Sequence, residues 1–158
     1  MEREAFTQSI LTNEQSFYRI AKTVLRSDSD CEDAIHNAVL NAFRNLSSLR
    51  EDRYFKTWFI RILLNECYKI SRENRKYLPA EELVTADAAQ EKEDYSGLYE
   101  AVSKLPEKIR LAIVLHYIED MKIEDVAKVL RIPKGTVKSR LNTGRRLLRE
   151  YLEDDYED

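Results

Sequence analysis

The sequence holds 158 residues, 43% apolar and 35% charged, with 26 Lys and Arg against 29 Asp and Glu for a formal net charge of −3. That apolar share excludes a simple disordered chain, and the length allows one ordinary domain or two small ones. Three Gly and three Pro are too few to punctuate hairpins, so an all-α fold is expected, and no apolar run reaches the roughly 18 residues of a membrane span. The opening Met1-Glu2-Arg3-Glu4 has no apolar signal core, which predicts a soluble, cytoplasmic chain without membrane insertion. Cys31 and Cys67 are isolated within helical patterns and are expected to be reduced core thiols; His36 and His116 have no companion at metal spacing. No metal and no cofactor are expected.

From Thr12 to Leu25, Phe17, Ile20, Ala21, Val24 and Leu25 recur at three and four, which predicts a helix with one buried face. Asp28, Ser29 and Asp30 offer caps for a second helix from about Cys31 to Leu46, with Ile35, Ala38, Val39, Ala42, Phe43 and Leu46 as its stripe. Leu40 lies about 140° from Ile35 on that helix. It sits among Asp33, His36, Asn37, Asn41 and Arg44, as an interface anchor would. A polar break from Ser47 to Arg53 precedes a long helix from about Phe55 to Lys76. Phe59, Ile60, Leu63, Leu64, Cys67 and Ile70 share one arc of it; Trp58, Arg61, Asn65, Tyr68, Lys69, Arg72 and Lys76 share the other. Cations interleaved with rings suit single-stranded nucleic acid, because the cations track phosphates while rings stack on unpaired bases. The alternative is that Trp58 and Tyr68 pack within the protein.

Leu78-Pro79 ends this block. Acidic residues then dominate to Glu93, which predicts a linker over 79–94. Helical periodicity returns over Tyr95 to Lys104 and, with Pro106 at a first helical position, through Ile109, Ala112, Ile113, Leu115 and Tyr117. Two short helices and an acidic tail, 153–158, close the chain. In the first of these helices Ile123, Val126, Ala127 and Leu130 form one stripe; after Arg131-Ile132-Pro133 the second, from Lys134, aligns Val137, Leu141, Gly144 and Leu148. Helix, short turn and helix make the two-helix unit that reads duplex DNA. The opposite arc carries Lys134, Lys138, Ser139, Asn142, Arg145, Arg146 and Arg149, and no acidic residue occurs from Lys128 to Arg149. In an acidic chain such a block fits phosphate neutralisation. Lys138, Ser139 and Asn142 are placed to meet base edges, and Arg145, Arg146 and Arg149 to hold phosphates. Arg140, off the groove side, is expected to pair with Asp125.

Four strings resemble the extracytoplasmic-function class of bacterial RNA polymerase sigma factors. They are Asp33-Ala34-Ile35-His36-Asn37-Ala38-Val39-Leu40-Asn41-Ala42-Phe43, Phe55-Lys56-Thr57-Trp58-Phe59-Ile60-Arg61-Ile62, Leu105-Pro106-Glu107-Lys108, and Ile132-Pro133-Lys134-Gly135-Thr136-Val137-Lys138-Ser139-Arg140-Leu141. The resemblance implies sigma domain two over 1–78 and sigma domain four, with its helix-turn-helix, over 95–152. It implies that Asp33, Asn37, Leu40, Asn41 and Arg44 face the clamp of core RNA polymerase. The loop from Ser47 to Tyr54, with Arg61, Asn65, Lys69 and Arg72, would capture the non-template single strand at the minus-ten element. Lys134, Thr136, Lys138, Ser139, Asn142 and Arg145 would read the minus-thirty-five duplex, near the polymerase flap. An anti-sigma partner is expected, and no small-molecule substrate.

The sequence departs from the family pattern in places. His36 and Asn37 replace a usual Gln and acidic residue. Arg131 replaces the usual turn glycine, Lys122 stands at a usual Ser or Thr cap, and part of the family's first helix is expected to be missing. No phosphate-cradling glycine loop, activated nucleophile or ligand cluster is present, so no catalytic residue is expected. The competing reading is a dimeric helix-turn-helix regulator that binds an operator without polymerase; it leaves the Phe55 to Lys76 stripe without a role.

Overall fold

The computed structural model describes residues 1–77 and 97–157, and the chain divides into two compact units, Met1–Gln90 and Glu91–Asp158. Among the described residues all regular structure is helical. The expected linker, with Leu78-Pro79, lies outside the described residues.

The first unit holds α1 (Arg3–Thr12), α2 (Glu14–Leu25), α3 (Asp28–Arg44), two 3₁₀ turns (Leu46–Ser48 and Asp52–Tyr54) and α4 (Phe55–Tyr77). Helix α1 lies ahead of the first helix that the apolar periodicity marks. Phe6 is its one fully buried residue, so the pattern carried almost no periodic signal. That ring packs edge-on against Phe55 at 5.9 Å and tilted against Phe43 at 5.8 Å, while Phe17 of α2 meets Phe59 at 4.4 Å. Of the predicted apolar arc of α4, Phe59, Ile60, Leu63, Leu64 and Cys67 are buried and Ile70 is half-buried.

Helix α3 is rotated from its predicted stripe. Its buried face is Cys31, Ala34, Ala38 and Ala42, whereas Ile35, Val39 and Leu46 are half-buried and Phe43 is 43% exposed. A row of small residues lets α4 approach closely, and the bulkier side chains flank that contact. The Arg3 guanidinium lies 5.4 Å over the Phe43 ring. The cap is Ser27, whose Oγ accepts from the Asp30 N–H at 3.4 Å, so Asp28 to Asp30 form the first turn, where carboxylates complement the helix dipole. Asp28 accepts from Tyr18 and Lys22, and the Lys22 ammonium beside it holds its carboxyl below the usual carboxylate range. Cys31 and Cys67 are buried free thiols; burial pushes the Cys31 thiol up to about 12 and raises Cys67 as well.

The second unit holds α5 (Gly97–Ser103), α6 (Glu107–Ile113), a π turn (Val114–Ile118), α7 (Ile123–Leu130) and α8 (Lys134–Glu157). Pro106 is the N-cap of α6 and precedes its first helical position. Arg110, 8% exposed, donates from Nη1 to the Leu105 carbonyl at 2.8 Å and so ties α6 to the end of α5. The last helix is not short: α8 has 24 residues and continues through Glu153 and Asp154 of the acidic tail. Of its predicted stripe, Val137 and Leu141 are enclosed, Gly144 is buried against α6 and Leu148 is half-buried. A Cβ at Gly144 would stand 2.7 Å from Ile113 Cγ1 and 3.1 Å from Ile109 Cγ2, so the bare glycine sets how closely α6 and α8 pack.

Between α7 and α8, Arg131 adopts the left-handed conformation at φ 56°, ψ 46°. The Ile132 N–H then bonds back to the Ala127 carbonyl at 3.1 Å, closing a Schellman-type stop. The turn keeps its glycine-like backbone although a glycine is absent. Lys122 caps α7 through backbone geometry without a side-chain hydrogen bond. The expected Arg140–Asp125 ion pair does not form; Lys134 of α8 instead lies 3.9 Å from Glu124 of α7. Asp125 sits in the first turn of α7, already favoured by the helix dipole.

Two stability changes follow. Arg131→Gly relieves a left-handed side-chain clash and raises stability by about 1 kcal/mol in urea unfolding. Gly144→Ala gains helix propensity but overpacks Ile113, for a net loss of about 1 kcal/mol or more by the same measurement.

Candidate nucleic-acid interface

On α8 the predicted reading face is outward. Lys134, Lys138, Ser139, Asn142, Arg145, Arg146 and Arg149 are all exposed, and Thr136 is half-buried at the first turn. Two of the cations have carboxylate neighbours: Lys134 with Glu124, and Arg146 with Glu150 at 3.3 Å. Both pairs are solvent-exposed and worth only about 0–1 kcal/mol, so a phosphate readily displaces them. Lys138 and Arg149 form no ion pair among the described residues. Arg145 donates to Asn142 Oδ1 on its own helix and to the Tyr117 hydroxyl on the π turn. Tyr117 continues the helical periodicity of this segment, yet it is 52% exposed. The π turn closes through the Glu119 N–H to the Val114 carbonyl at 2.9 Å, and its extra residue rotates Tyr117 out of the core while Leu115 stays enclosed.

On α4, Asn65, Lys69, Arg72 and Lys76 recur at four, three and four and form one exposed row, spanning about 16 Å along the helix axis. Arg61 and Tyr68 are half-buried. Trp58 is half-buried too: its indole N–H donates to Ser48 Oγ at 3.2 Å, its ring lies 6.0 Å from Phe55, and Ser48 in turn donates to the Asn45 carbonyl at 2.7 Å. Trp58 therefore fastens the loop from Ser47 to Tyr54 to α4. The ring that stands free of the core is Tyr54, 48% exposed, with the Arg53 guanidinium 4.8 Å from its centre.

On α3, Asp33, Asn37 and Arg44 are exposed, and Leu40 is 47% exposed. Asn41 is half-buried and donates from Nδ2 to Glu66 Oε1 at 3.4 Å. The same oxygen accepts from Lys69 Nζ at 3.1 Å. Glu66, 7% exposed, thus bridges the α3 surface and the α4 cationic row. It escaped the sequence reading because a carboxylate beside an apolar arc reads as solvated. Among the described residues no group of His, Cys, Asp or Glu is arranged to hold a metal, and no helix is long and apolar enough to cross a membrane.

A helix-turn-helix with an exposed basic arc in one unit and a helix with an exposed cationic row in the other fit a nucleic-acid-binding protein. The comparisons agree: residues 10–77 match Sigma-70 region 2, and residues 96–148 match Sigma-70 region 4. Over 96% of this chain it is 30% identical to the ECF RNA polymerase sigma factor SigM of Mycobacterium tuberculosis (strain H37Rv), covering 79% of that protein. It is 29% identical to SigW of Bacillus subtilis (strain 168), covering 97% of this chain and 91% of that one. The fold is shared with the sigma factor RpoE of Bartonella quintana, solved with the anti-sigma factor NepR, at a TM-score of 0.75 and 24% identity over 94% of this chain and 96% of that one. It is shared as well with CnrH, solved with the cytosolic domain of CnrY, at 0.72 and 25% over 98% and 91%. The chain belongs to the extracytoplasmic-function RNA polymerase sigma factors, which bind the polymerase and direct it to promoters. The operator-binding dimer is not favoured.

Proposed function

We propose a division of labour by surface for this promoter-directing subunit. Its first unit, over 1–78, docks through Asp33, Asn37, Leu40, Asn41 and Arg44 on the polymerase clamp. The Ser47 to Tyr54 loop and the α4 row, with Trp58 as loop anchor, grip the non-template strand of the minus-ten element through Arg61, Asn65, Tyr68, Lys69 and Arg72. The second unit, over 95–152, reads the minus-thirty-five duplex with Lys134, Thr136, Lys138, Ser139, Asn142 and Arg145, while Arg146 and Arg149 hold phosphates and the unit meets the flap. The carrying observation is the acid-free arc of α8, exposed directly opposite its buried stripe. Opening of the DNA draws on differential affinity: the unpaired strand binds the α4 row better than the duplex does, which offsets a few kcal/mol of unstacking. The chain works in the cytoplasm without catalysis of its own. An anti-sigma partner, of the kind that holds RpoE in its crystal complex, covers the clamp-facing and duplex-reading faces. The acidic linker and tail keep the free chain soluble.

Adding the chain to bacterial core polymerase and mapping transcript starts tests the reading; start-site-specific transcripts are expected, and none would overturn it. In that holoenzyme Asn142→Ala alters preference at one base pair by roughly 1–3 kcal/mol, whereas Arg149→Ala weakens all duplexes alike and lowers the salt slope by about one. Both are read by promoter binding across a base-substitution panel and a salt series. Glu66→Gln keeps an acceptor for Asn41 but frees Lys69 from a competing charge. Binding to a minus-ten single strand strengthens by up to about 1 kcal/mol, measured by fluorescence anisotropy, with little change in stability.

A further inference from the structure

The Tyr117–Arg145–Asn142 chain has a consequence for base choice that no single residue of it would have. Arg145 is a fork of donors only. One arm is spent on the Tyr117 hydroxyl and another on Asn142 Oδ1. Tyr117 is itself held from behind: the His116 ring lies edge-on to it at 4.8 Å, and His116 Nδ1 hydrogen-bonds the Met121 carbonyl at 2.8 Å. The phenol therefore stands at a set place beside α8 and draws the guanidinium into the orientation that meets Asn142. With one lone pair of its oxygen so engaged and a guanidinium beside it, Asn142 presents its Nδ2 donors next to further Arg145 N–H groups.

A free Asn carboxamide suits adenine, whose major-groove edge offers an acceptor and a donor side by side. Guanine offers two acceptors, N7 and O6, and no donor. A carboxamide whose oxygen already carries an Arg145 N–H, with the remaining Arg145 donors beside it, presents a donor-rich edge that matches guanine and sets competing donors against the adenine N6 amine.

We infer that Tyr117 is a specificity-setting residue of the duplex-reading face: by positioning Arg145 against the Asn142 oxygen it turns Asn142 from an adenine reader into part of a donor-rich edge that selects guanine. This rests on the reading of α8 as the minus-thirty-five interface. Tyr117 is a positioning residue; removing its hydroxyl frees Arg145 to swing toward phosphate and releases the Asn142 oxygen.

The test uses the full chain assembled with core polymerase and a pool of promoter duplexes randomised across the upstream element, with retained sequences counted. Asn142→Ala first locates the base pair that Asn142 reads. At that pair the wild type retains guanine over adenine. Tyr117→Phe shifts the guanine-to-adenine ratio toward adenine by roughly three- to tenfold with an unchanged melting temperature. Arg145→Ala does the same, and the Tyr117→Phe/Arg145→Ala double variant shifts the ratio no further than Arg145→Ala alone. The inference is overturned by a wild-type preference for adenine there, by Tyr117→Phe leaving the ratio untouched while Arg145→Ala moves it, or by a uniform loss on every duplex, which would make Tyr117 a phosphate contact alone. If neither Asn142→Ala nor Arg149→Ala affects any duplex, the interface reading itself fails and this inference falls with it.

Discussion

The second unit depends on how closely α6 comes to α8 at Gly144. With no side chain there, Ile113 and Ile109 rest on the helix backbone itself, which fixes the rotation of α8 about its axis as well as its distance. Once Val137, Leu141 and Gly144 face inward, the seven polar and cationic positions on the other arc have nowhere to go but solvent. That rotation also brings Arg145 under the phenol of Tyr117. A helix turned by one residue would bury part of the basic arc and leave a seam of apolar side chains in water. Sequence, packing and charge therefore agree at one contact between two helices.

In the first unit the corresponding constraint is the row of small side chains on α3. Cys31, Ala34, Ala38 and Ala42 present a shallow groove into which the ridge of α4 settles. That leaves the polar flank of each helix free for a different task, α3 with its exposed Leu40 and α4 with its cations. Glu66 sits where the two flanks meet and shares one oxygen between Asn41 and Lys69. The surface expected to face polymerase and the row expected to hold the strand are thus electrostatically joined across less than one turn of α4.

Much of this was legible from residue order, and the failures have physical reasons. The buried arcs of α8 and α4 were legible because each is strongly periodic, whereas Trp58, Arg61 and Tyr68 of the α4 polar arc are half-buried. Helix α1 was missed because its burial rests on Phe6. The α3 stripe was misplaced because periodicity weighs large apolar residues, whereas close packing selected the alanines and left Phe43 half outside. Tyr117 follows Ile113 by four and so reads as core; a π turn, invisible to a 3.6-residue period, turned it out. Trp58 and Tyr68 could be weighed only as stacking rings or packed ones, and the Ser48 hydroxyl shows the Trp58 ring tied to its own loop. Arg131 marks the opposite situation, a residue of the wrong type in a backbone shape that the turn retains regardless.

The two buried thiols carry a practical corollary. Cys31 and Cys67 lie on the facing sides of α3 and α4, and burial holds both in the unreactive protonated form. An alkylating reagent at neutral pH can reach them only when these helices separate, so the rate of modification becomes a covalent clock for the opening of the first unit. The chain thereby contains its own reporters for asking whether polymerase, DNA or an inhibitor tightens that unit, with no label to introduce.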